Sequence, residues 1–176
     1  MLVPILETER LILRGHRIED FENSEEMWAD FRVVEHISGT PSTREQSWSR
    51  LLRYSGHWQL LGFGYWAVTT RSDGAFIGEV GFAYYQRDTT PSIEGIPEAG
   101  WVLRSEAHGN GYATEAVSRS LLWADDKLSA DKTVCLIDPS YTASINVAKK
   151  CGYGNEQIGN YKSQKTLFLE RNRKVL

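Results

Sequence analysis

One segment limits the possible folds of this chain more than any other: Trp101–Ala116, which reads WVLRSEAHGNGYATEA. It predicts a strand that runs through a loop with two glycines, Gly109 and Gly111, directly into an amphipathic helix over 112–128. The first N–H groups of such a helix have no acceptor within the helix, and the helix dipole is positive there. Because glycine lacks a Cβ, a bulky anion can approach this backbone closely. The segment therefore predicts a binding site for a phosphate or a diphosphate.

Other interpretations of the glycine loop stay open. The glycines could simply form a turn and cap the helix, and the bare pattern also fits other phosphate-binding loops. A Walker loop is excluded because no Gly-Lys-Ser/Thr follows. A dinucleotide-binding Rossmann unit is a weaker fit, since residues 104–108 separate the strand from the first glycine. In addition, about a hundred residues that predict antiparallel strands and helices precede the segment, which is unlike the start of a doubly wound sheet.

The rest of the chain predicts strands and helices without an internal repeat or a linker. Ser42 and Glu45 form a potential capping box for a helix in which Trp48, Leu51 and Leu52 repeat at helical spacing. The predicted strands are 6–14, 65–70, 75–85, 98–104, 133–137 and 163–170, and the first hairpin turns at 71–74. The predicted helices are 18–30, 43–60, 112–128 and 141–151, and residues 86–97 form a polar loop. This order predicts one domain with a mixed sheet and helices on its faces, of the α/β or α+β class.

Composition and charge exclude several classes of protein. With 41% hydrophobic and 24% charged residues in a length of 176, the chain predicts an ordinary globular domain. A net charge of −3 with interspersed signs argues against a nucleic-acid-binding face. The apolar runs are too short for a membrane helix and the N-terminus lacks a secretory signal, so we expect a cytoplasmic location. Cys135 and Cys151 predict buried thiols, and the scattered histidines predict no metal site.

Four blocks, in order along the chain, resemble the GNAT superfamily of N-acetyltransferases. His108–Ala116 (HGNGYATEA) is similar to the family's coenzyme A pyrophosphate loop, whose pattern is Q/R-x-x-G-x-G/A. Glu98–Leu103 (EAGWVL) resembles its central strand, and Thr142–Tyr153 (TASINVAKKCGY) resembles its later helix. The opening LETERLILR, together with segments 62–68 and 76–82, resembles the branch related to ribosomal-protein N-terminal (RimJ/RimL-like) acetyltransferases.

The resemblance implies a GNAT fold over residues 1–176. This is a mixed, mostly antiparallel central sheet of about 6–7 strands, splayed in the middle, with helices on both faces. Acetyl-coenzyme A would be the co-substrate, with its pantetheine arm in the splay and no metal involved. The strand residues implied to offer backbone hydrogen bonds to the arm are Trp101, Val102 and Leu103. The residues implied to wrap the pyrophosphate are His108, Gly109, Asn110, Gly111, Tyr112, Ala113 and Thr114.

Some positions depart from the family pattern. His108 stands where the family has Gln or Arg, and we expect this to be tolerated because backbone amides make most of the phosphate contact. Tyr141 stands where this branch has an Asn that helps to position the cofactor, so the local geometry there is open. Many relatives protonate the leaving thiolate with a helix Tyr, and Ala148 occupies that position. Ser144 and Tyr141 are the remaining candidate acids, although Ser144 could equally bond to backbone in the first helical turn.

Acetyl transfer to an amine also needs a base for the ammonium group and a donor for the tetrahedral oxyanion. The resemblance assigns the base to Glu98, at the start of the central strand, and Glu94 and Glu79 are substitutes. Glu98 could instead be a solvated residue at a strand end. The oxyanion donor is expected to be a backbone N–H near Leu103.

The sequence does not name the acceptor, which could be a protein N-terminal amine or a small-molecule amine. In relatives, helix 43–60 and loop 86–97 flank the acceptor. Aromatic residues that could line its pocket, but are more typical of a core, are Trp48, Trp58, Tyr65, Trp66, Tyr84, Tyr85 and Trp101. We expect a monomer or a homodimer that binds neither nucleic acid nor membrane. A non-catalytic module that binds acetyl-coenzyme A is the alternative function, and a Rossmann-type oxidoreductase is a more distant one.

Overall fold

The computed structural model describes residues 2–174. The strands are β1 (Leu6–Glu7), β2 (Leu11–Arg14), β3 (Tyr65–Thr70), β4 (Phe76–Ala83), β5 (Thr89–Thr90), β6 (Glu98–Leu103), β7 (Lys132–Ile137), β8 (Gly154–Tyr161) and β9 (Gln164–Asn172). The helices are α1 (Phe21–Ala29), α2 (Phe31–Val34), α3 (Arg44–Leu61), α4 (Tyr112–Lys127) and α5 (Thr142–Lys150). The strands form a single sheet in the order β1-β2-β3-β4-β6-β7-β9-β8-β5.

The centre of the sheet is split between β6 and β7. Every other neighbouring pair of strands is antiparallel, whereas β6 and β7 are parallel. These two strands share one residue pair, Glu98 with Val134, and Val134 N–H donates to the carbonyl of Pro97 over 3.1 Å. Beyond that pair they diverge towards their carboxyl ends and leave a wedge. The mixed, mostly antiparallel, splayed sheet predicted from the family resemblance is confirmed.

Helices cover both faces of the sheet, as predicted. On one face, α4 buries Ala116, Val117, Leu121 and Ala124 in the main core, which also holds Trp66 of β3. On the other face, Met27, Trp28, Val33 and Val34 of α1 and α2 pack against Ala67, Phe76 and Val102. Cys135 and Cys151 are buried free thiols, also as predicted. Within residues 2–174, no helix is long and apolar enough to cross a membrane.

The sheet has nine strands rather than six or seven. Two of them, β1 and β5, contain only two residues each, and the predicted strand 6–14 is in fact β1 and β2 joined by a turn. The segment GNEQIGNY forms β8, which the prediction missed because it lacks alternating apolar residues and is mostly exposed. The predicted helix 18–30 begins with a 3-10 turn, and α2 follows it as a separate short helix.

The N-cap residue of helix α3 lies one position later than predicted. The capping box is Thr43 with Gln46 rather than Ser42 with Glu45: Gln46 N–H donates to Thr43 Oγ1, and Thr43 N–H donates to Gln46 Oε1. The side that the helix buries carries Ser47, Leu51, Tyr54 and Trp58. Trp48 is therefore 37% exposed and Leu52 is 53% exposed, although the helical spacing grouped both with Leu51.

Candidate active site

The backbone of β6 faces its two neighbouring strands in alternation. The N–H of Arg104, just after the strand, donates to Ile77 O of the β4 side over 2.9 Å. The carbonyl of Pro97, just before it, accepts from Val134 of β7. The N–H and C=O of one residue in a strand point to the same edge, and successive residues alternate. The odd-numbered residues of β6 therefore point their backbone groups towards β7, and the even-numbered ones towards β4.

This alternation separates the three strand residues assigned to the pantetheine arm. Trp101 and Leu103 point their backbone groups into the wedge, where the pairing with β7 has already ended at Glu98. Val102 points its backbone groups towards β4, and its side chain lies in the cluster with α1 and α2. The Leu103 carbonyl already accepts from His108 Nε2 at 2.9 Å, which requires the tautomer protonated on Nε2. Trp101 thus offers the freer backbone groups at this edge.

The glycine loop leaves a run of backbone N–H groups uncovered. Gly109 and Gly111 both have a φ of +78°, a conformation that side-chain-bearing residues rarely adopt. A Cβ on Gly109 would meet nothing within 4 Å, and one on Gly111 would meet only Arg10 Nη2 at 3.5 Å. Among residues 2–174, no acceptor takes the N–H of any residue from Gly109 to Thr114. These groups and the start of α4 form a cradle that suits a diphosphate.

The one acidic side chain in the first turn of α4 is neutralised. Glu115 accepts from Thr8 Oγ1 at 2.6 Å and pairs with the Arg10 guanidinium at 2.6 Å. Arg10 also donates to the Asn110 carbonyl at 3.0 Å and lies over the Tyr112 ring at 4.5 Å. Glu115 therefore turns towards the first two strands, and Arg10 fixes the loop while adding positive charge beside it.

The start of α5 lies at the same edge of the sheet as the glycine loop, because β6 and β7 are parallel and both helices follow their carboxyl ends. Tyr141 is the N-cap residue of α5, and its ring stacks on His36 with centroids 4.5 Å apart. Burial raises the pKa of the Tyr141 hydroxyl, so it stays protonated near neutral pH. Ser144 lies in the first turn, and Ala148 is fully buried in the core.

Glu98 is not a solvated strand end. It is 7% exposed, and Arg87 binds both of its carboxylate oxygens, at 2.6 and 3.0 Å. Arg87 also donates to the Tyr161 hydroxyl at 2.6 Å. Burial lowers the pKa of Arg87, but the Glu98 carboxylate outweighs burial and raises it above its ordinary value. Glu94, by contrast, is exposed on the loop before β6.

Glu79 of β4 is 1% exposed and already saturated with donors. It accepts from Ser24 Oγ at 2.7 Å, from Trp28 Nε1 at 2.9 Å and from the Tyr54 hydroxyl at 2.9 Å. Burial alone would raise the pKa of Glu79, but His16 and these hydrogen bonds lower it below its ordinary value. A carboxylate held in this way is poorly placed to take a proton from a substrate.

Two features beside Glu98 were not predicted. A Cβ on Gly100 would lie 2.0 Å from the hydroxyl of Tyr65, so the absence of a side chain in mid-strand makes room for this buried tyrosine. Glycine inside a strand often marks such a close approach, and this signal was available. No signal in the sequence indicated that Arg87, in a polar loop, would pair with Glu98.

Known proteins that resemble this chain in sequence include some named as acetyltransferases, in agreement with the geometry of the glycine loop and the wedge. The family model described as "Acetyltransferase (GNAT) domain" matches residues 10–154. The chain belongs to the GNAT acetyltransferase family. It is 24% identical over 154 residues to the uncharacterized N-acetyltransferase p20 of Bacillus licheniformis, covering 87% of this chain and 84% of that protein.

Solved structures of this GNAT protein's relatives have the same fold. One solved relative is named as a GnaT-family acetyltransferase of Bordetella pertussis, and it is 27% identical to this chain. The two structures superpose with a TM-score of 0.83, and the match covers 96% of this chain and 99% of that one. The spermidine N-acetyltransferase of Vibrio cholerae, solved with coenzyme A and spermine, is 15% identical, with a TM-score of 0.73 over 94% of this chain and 97% of that one. At that identity the likeness concerns the fold alone.

Proposed function

We propose that this GNAT protein transfers an acetyl group from acetyl-coenzyme A to a primary amine, by direct attack within a ternary complex. The observation that carries the proposal is the run of uncovered N–H groups at 109–114, which lies at the open end of the β6–β7 wedge. A diphosphate bound there would direct the attached arm along β6. A crowded or side-chain-filled loop would not permit this.

The residues at the wedge would then have distinct roles. The N–H groups from Gly109 to Thr114 would bind the pyrophosphate, and the backbone of Trp101 and Leu103 would bind the pantetheine arm. The Leu103 N–H, which points into the wedge, would donate to the oxyanion of the tetrahedral intermediate. The resemblance implies that His108 helps to wrap the pyrophosphate, but its backbone N–H already donates to the Ser105 carbonyl at 3.2 Å, so we assign it instead to fixing the end of β6 through the Leu103 carbonyl.

Proton movements complete the reaction. Glu98, at the closed end of the wedge, would accept the ammonium proton, directly or through water, so that the neutral amine can attack the thioester carbon. The attack forms the C–N bond and a tetrahedral intermediate, whose nitrogen loses a second proton to solvent; collapse of this intermediate then breaks the C–S bond and releases the thiolate. Ser144 or Tyr141, on α5, would return a proton to that sulfur, since Ala148 offers no hydroxyl.

Two measurements test this function. Acetyl-coenzyme A should raise the melting temperature of the protein while NAD should not, and thiol release should depend on an added primary amine. Stabilisation by acetyl-coenzyme A without turnover of any amine would instead favour the non-catalytic module. Failure of acetyl-coenzyme A to bind would remove both.

The finer assignments rest on resemblance. We propose the RimJ/RimL-like branch, which makes a protein N-terminal amine one acceptor to test beside small-molecule amines. A cytoplasmic location, a monomeric or homodimeric state and the absence of a metal requirement stay predictions.

A further inference from the structure

The face of the sheet that carries the Glu98 side chain has an unusual arrangement of charge. Tyr85 lies beside two guanidinium groups: Arg87 is 4.5 Å from its ring centroid and Arg53, from α3, is 5.2 Å away. Arg87 is held between this ring and that of Tyr161, which is 4.6 Å away. The Glu98 carboxylate belongs to the same cluster, and both of its oxygens accept hydrogen bonds from Arg87.

The positive charge on this face exceeds what Glu98 can balance. Arg53 is exposed, and no carboxylate of residues 2–174 lies within 4.0 Å of its guanidinium. Two other strand carboxylates lie on this face, and both are already paired: Glu79 is enclosed by its own donors, and Glu170 binds Lys132 at 2.7 Å. An incoming amine would therefore meet a surface that repels cations.

A third arginine extends the same surface one turn along α3. Arg50 lies over the Trp28 ring at 3.6 Å and donates to Ser42 Oγ at 3.1 Å through Nη2. Its Nη1 is buried without a hydrogen-bond partner among the described residues. A buried charged donor without an acceptor is costly, so an anion that reached it would be favourably bound.

We propose that the acceptor amine carries an anionic group, such as a carboxylate, within a few bonds of its nitrogen, and that Arg87 and Arg53 bind this group. Arg87 would exchange Glu98 for the carboxylate of the acceptor. Glu98 would then be free to take the ammonium proton of the same molecule. This inference rests on the proposed function and assigns its substrate class, in contrast to a polycation such as the spermine bound by the Vibrio cholerae relative.

The test uses matched amines and matched variants of the full chain. Initial rates of thiol release are measured with amino acids, with the corresponding amino acid amides, with peptides that differ by Asp or Asn beside the amino terminus, and with spermidine. The quantity compared is kcat/KM for each anionic amine divided by that of its neutral partner. Comparing this ratio between variants cancels the difference in amine pKa within each pair.

Arg53→Gln and Arg87→Gln should each lower the ratio by about tenfold or more, because each removes a charge-assisted hydrogen bond to the acceptor. Arg44→Gln is the control, since Arg44 begins the same helix but pairs with Glu25. It should leave the ratio unchanged. Arg53 is exposed, so its variant is expected to fold even if the loss of Arg87 destabilises the loop.

Three results have different meanings. If anionic and neutral amines lose activity equally in both variants, Arg87 and Arg53 only support the structure and the inference is wrong. If spermidine is the better substrate of the natural protein, the inference is also wrong, although the acetyltransferase function stands. If no amine in the panel is acetylated while acetyl-coenzyme A binds, it is the proposed function that fails.

Discussion

Replacing Gly109 with alanine should separate the conformational need for glycine from its role in binding. At a φ of +78°, alanine strains the folded backbone and lowers the free energy of unfolding by about 1–2 kcal/mol. Alanine also makes the unfolded chain less flexible, which raises the free energy of unfolding by about 0.4–1 kcal/mol. The new Cβ meets nothing within 4 Å, so no clash adds to this cost. The net loss of about 1 kcal/mol corresponds to a fall of about 2–4 °C in the melting temperature of a chain of this size. Gly74→Ala is the matched control, because Gly74 has a φ of +72° and equally open surroundings.

The melting temperatures of the two variants should differ only when acetyl-coenzyme A is added. At a ligand concentration of about 100 Kd, binding stabilises the native state by about 2.7 kcal/mol, which raises the melting temperature by about 5–10 °C. Gly74→Ala should keep this shift. Gly109→Ala places a methyl group where the diphosphate approaches, and a tenfold loss of affinity would remove about 1.4 kcal/mol of the stabilisation. Equal shifts in the two variants, measured by thermal unfolding with and without acetyl-coenzyme A, would refute the placement of the diphosphate at this loop.

Further changes test the remaining assignments. Glu98→Gln should lower kcat/KM by about a hundredfold or more, and the residual rate should rise with pH as more of the acceptor amine becomes neutral; an unchanged rate at every pH would show that Glu98 is not the base. Ser144→Ala and Tyr141→Phe should differ, since only the residue that protonates the thiolate should lower kcat without raising the KM for acetyl-coenzyme A; two silent variants would mean that water supplies the proton. Asp125→Asn should cost about 3–5 kcal/mol in denaturant unfolding, because it breaks the buried pair with Arg171, whose Nη2 lies 2.6 Å from Oδ2. Burial raises the pKa of Asp125, but Arg171 and Lys174 together outweigh burial and keep it below the ordinary value of 3.8. The stability from the pair is therefore present above pH 3.8 and lost as pH falls through the lowered pKa, and a natural protein as stable in acid as at neutral pH would contradict this.

The elements that the sequence predicted well are those whose local signals agree with their tertiary environment. Helix α4 has its apolar residues on one face and a glycine loop before it, and the structure buries that face. The strands of the β3–β4 hairpin are joined by predicted turn residues that include Gly74, which adopts a left-handed conformation. Gly152 ends α5 in the same conformation, as a C′ glycine should.

The predictions failed where tertiary contacts decide. Strand β8 is mostly exposed and has no alternation of its own, so its pairing with β9 creates the strand. The buried side of α3 follows from the aromatic layer beneath it, where Tyr54 stacks on Tyr65 with centroids 4.7 Å apart. The ion pair between Arg87 and Glu98 joins a loop to a strand, and the local sequence of neither segment predicts that the two side chains meet.

Strand β6 explains why the candidate site depends on register. All six of its residues pair with β4, from Ala83 with Glu98 to Gly78 with Leu103. In this register, odd-numbered residues send their side chains to the α4 face and their backbone groups to the wedge, while Glu98 faces α3. A shift by one residue would bury Glu98 in the apolar core and turn the Trp101 backbone away from the wedge. The antiparallel pairing with β4 therefore positions the proposed base and the cofactor edge together, and the single residue pair with β7 leaves that edge open.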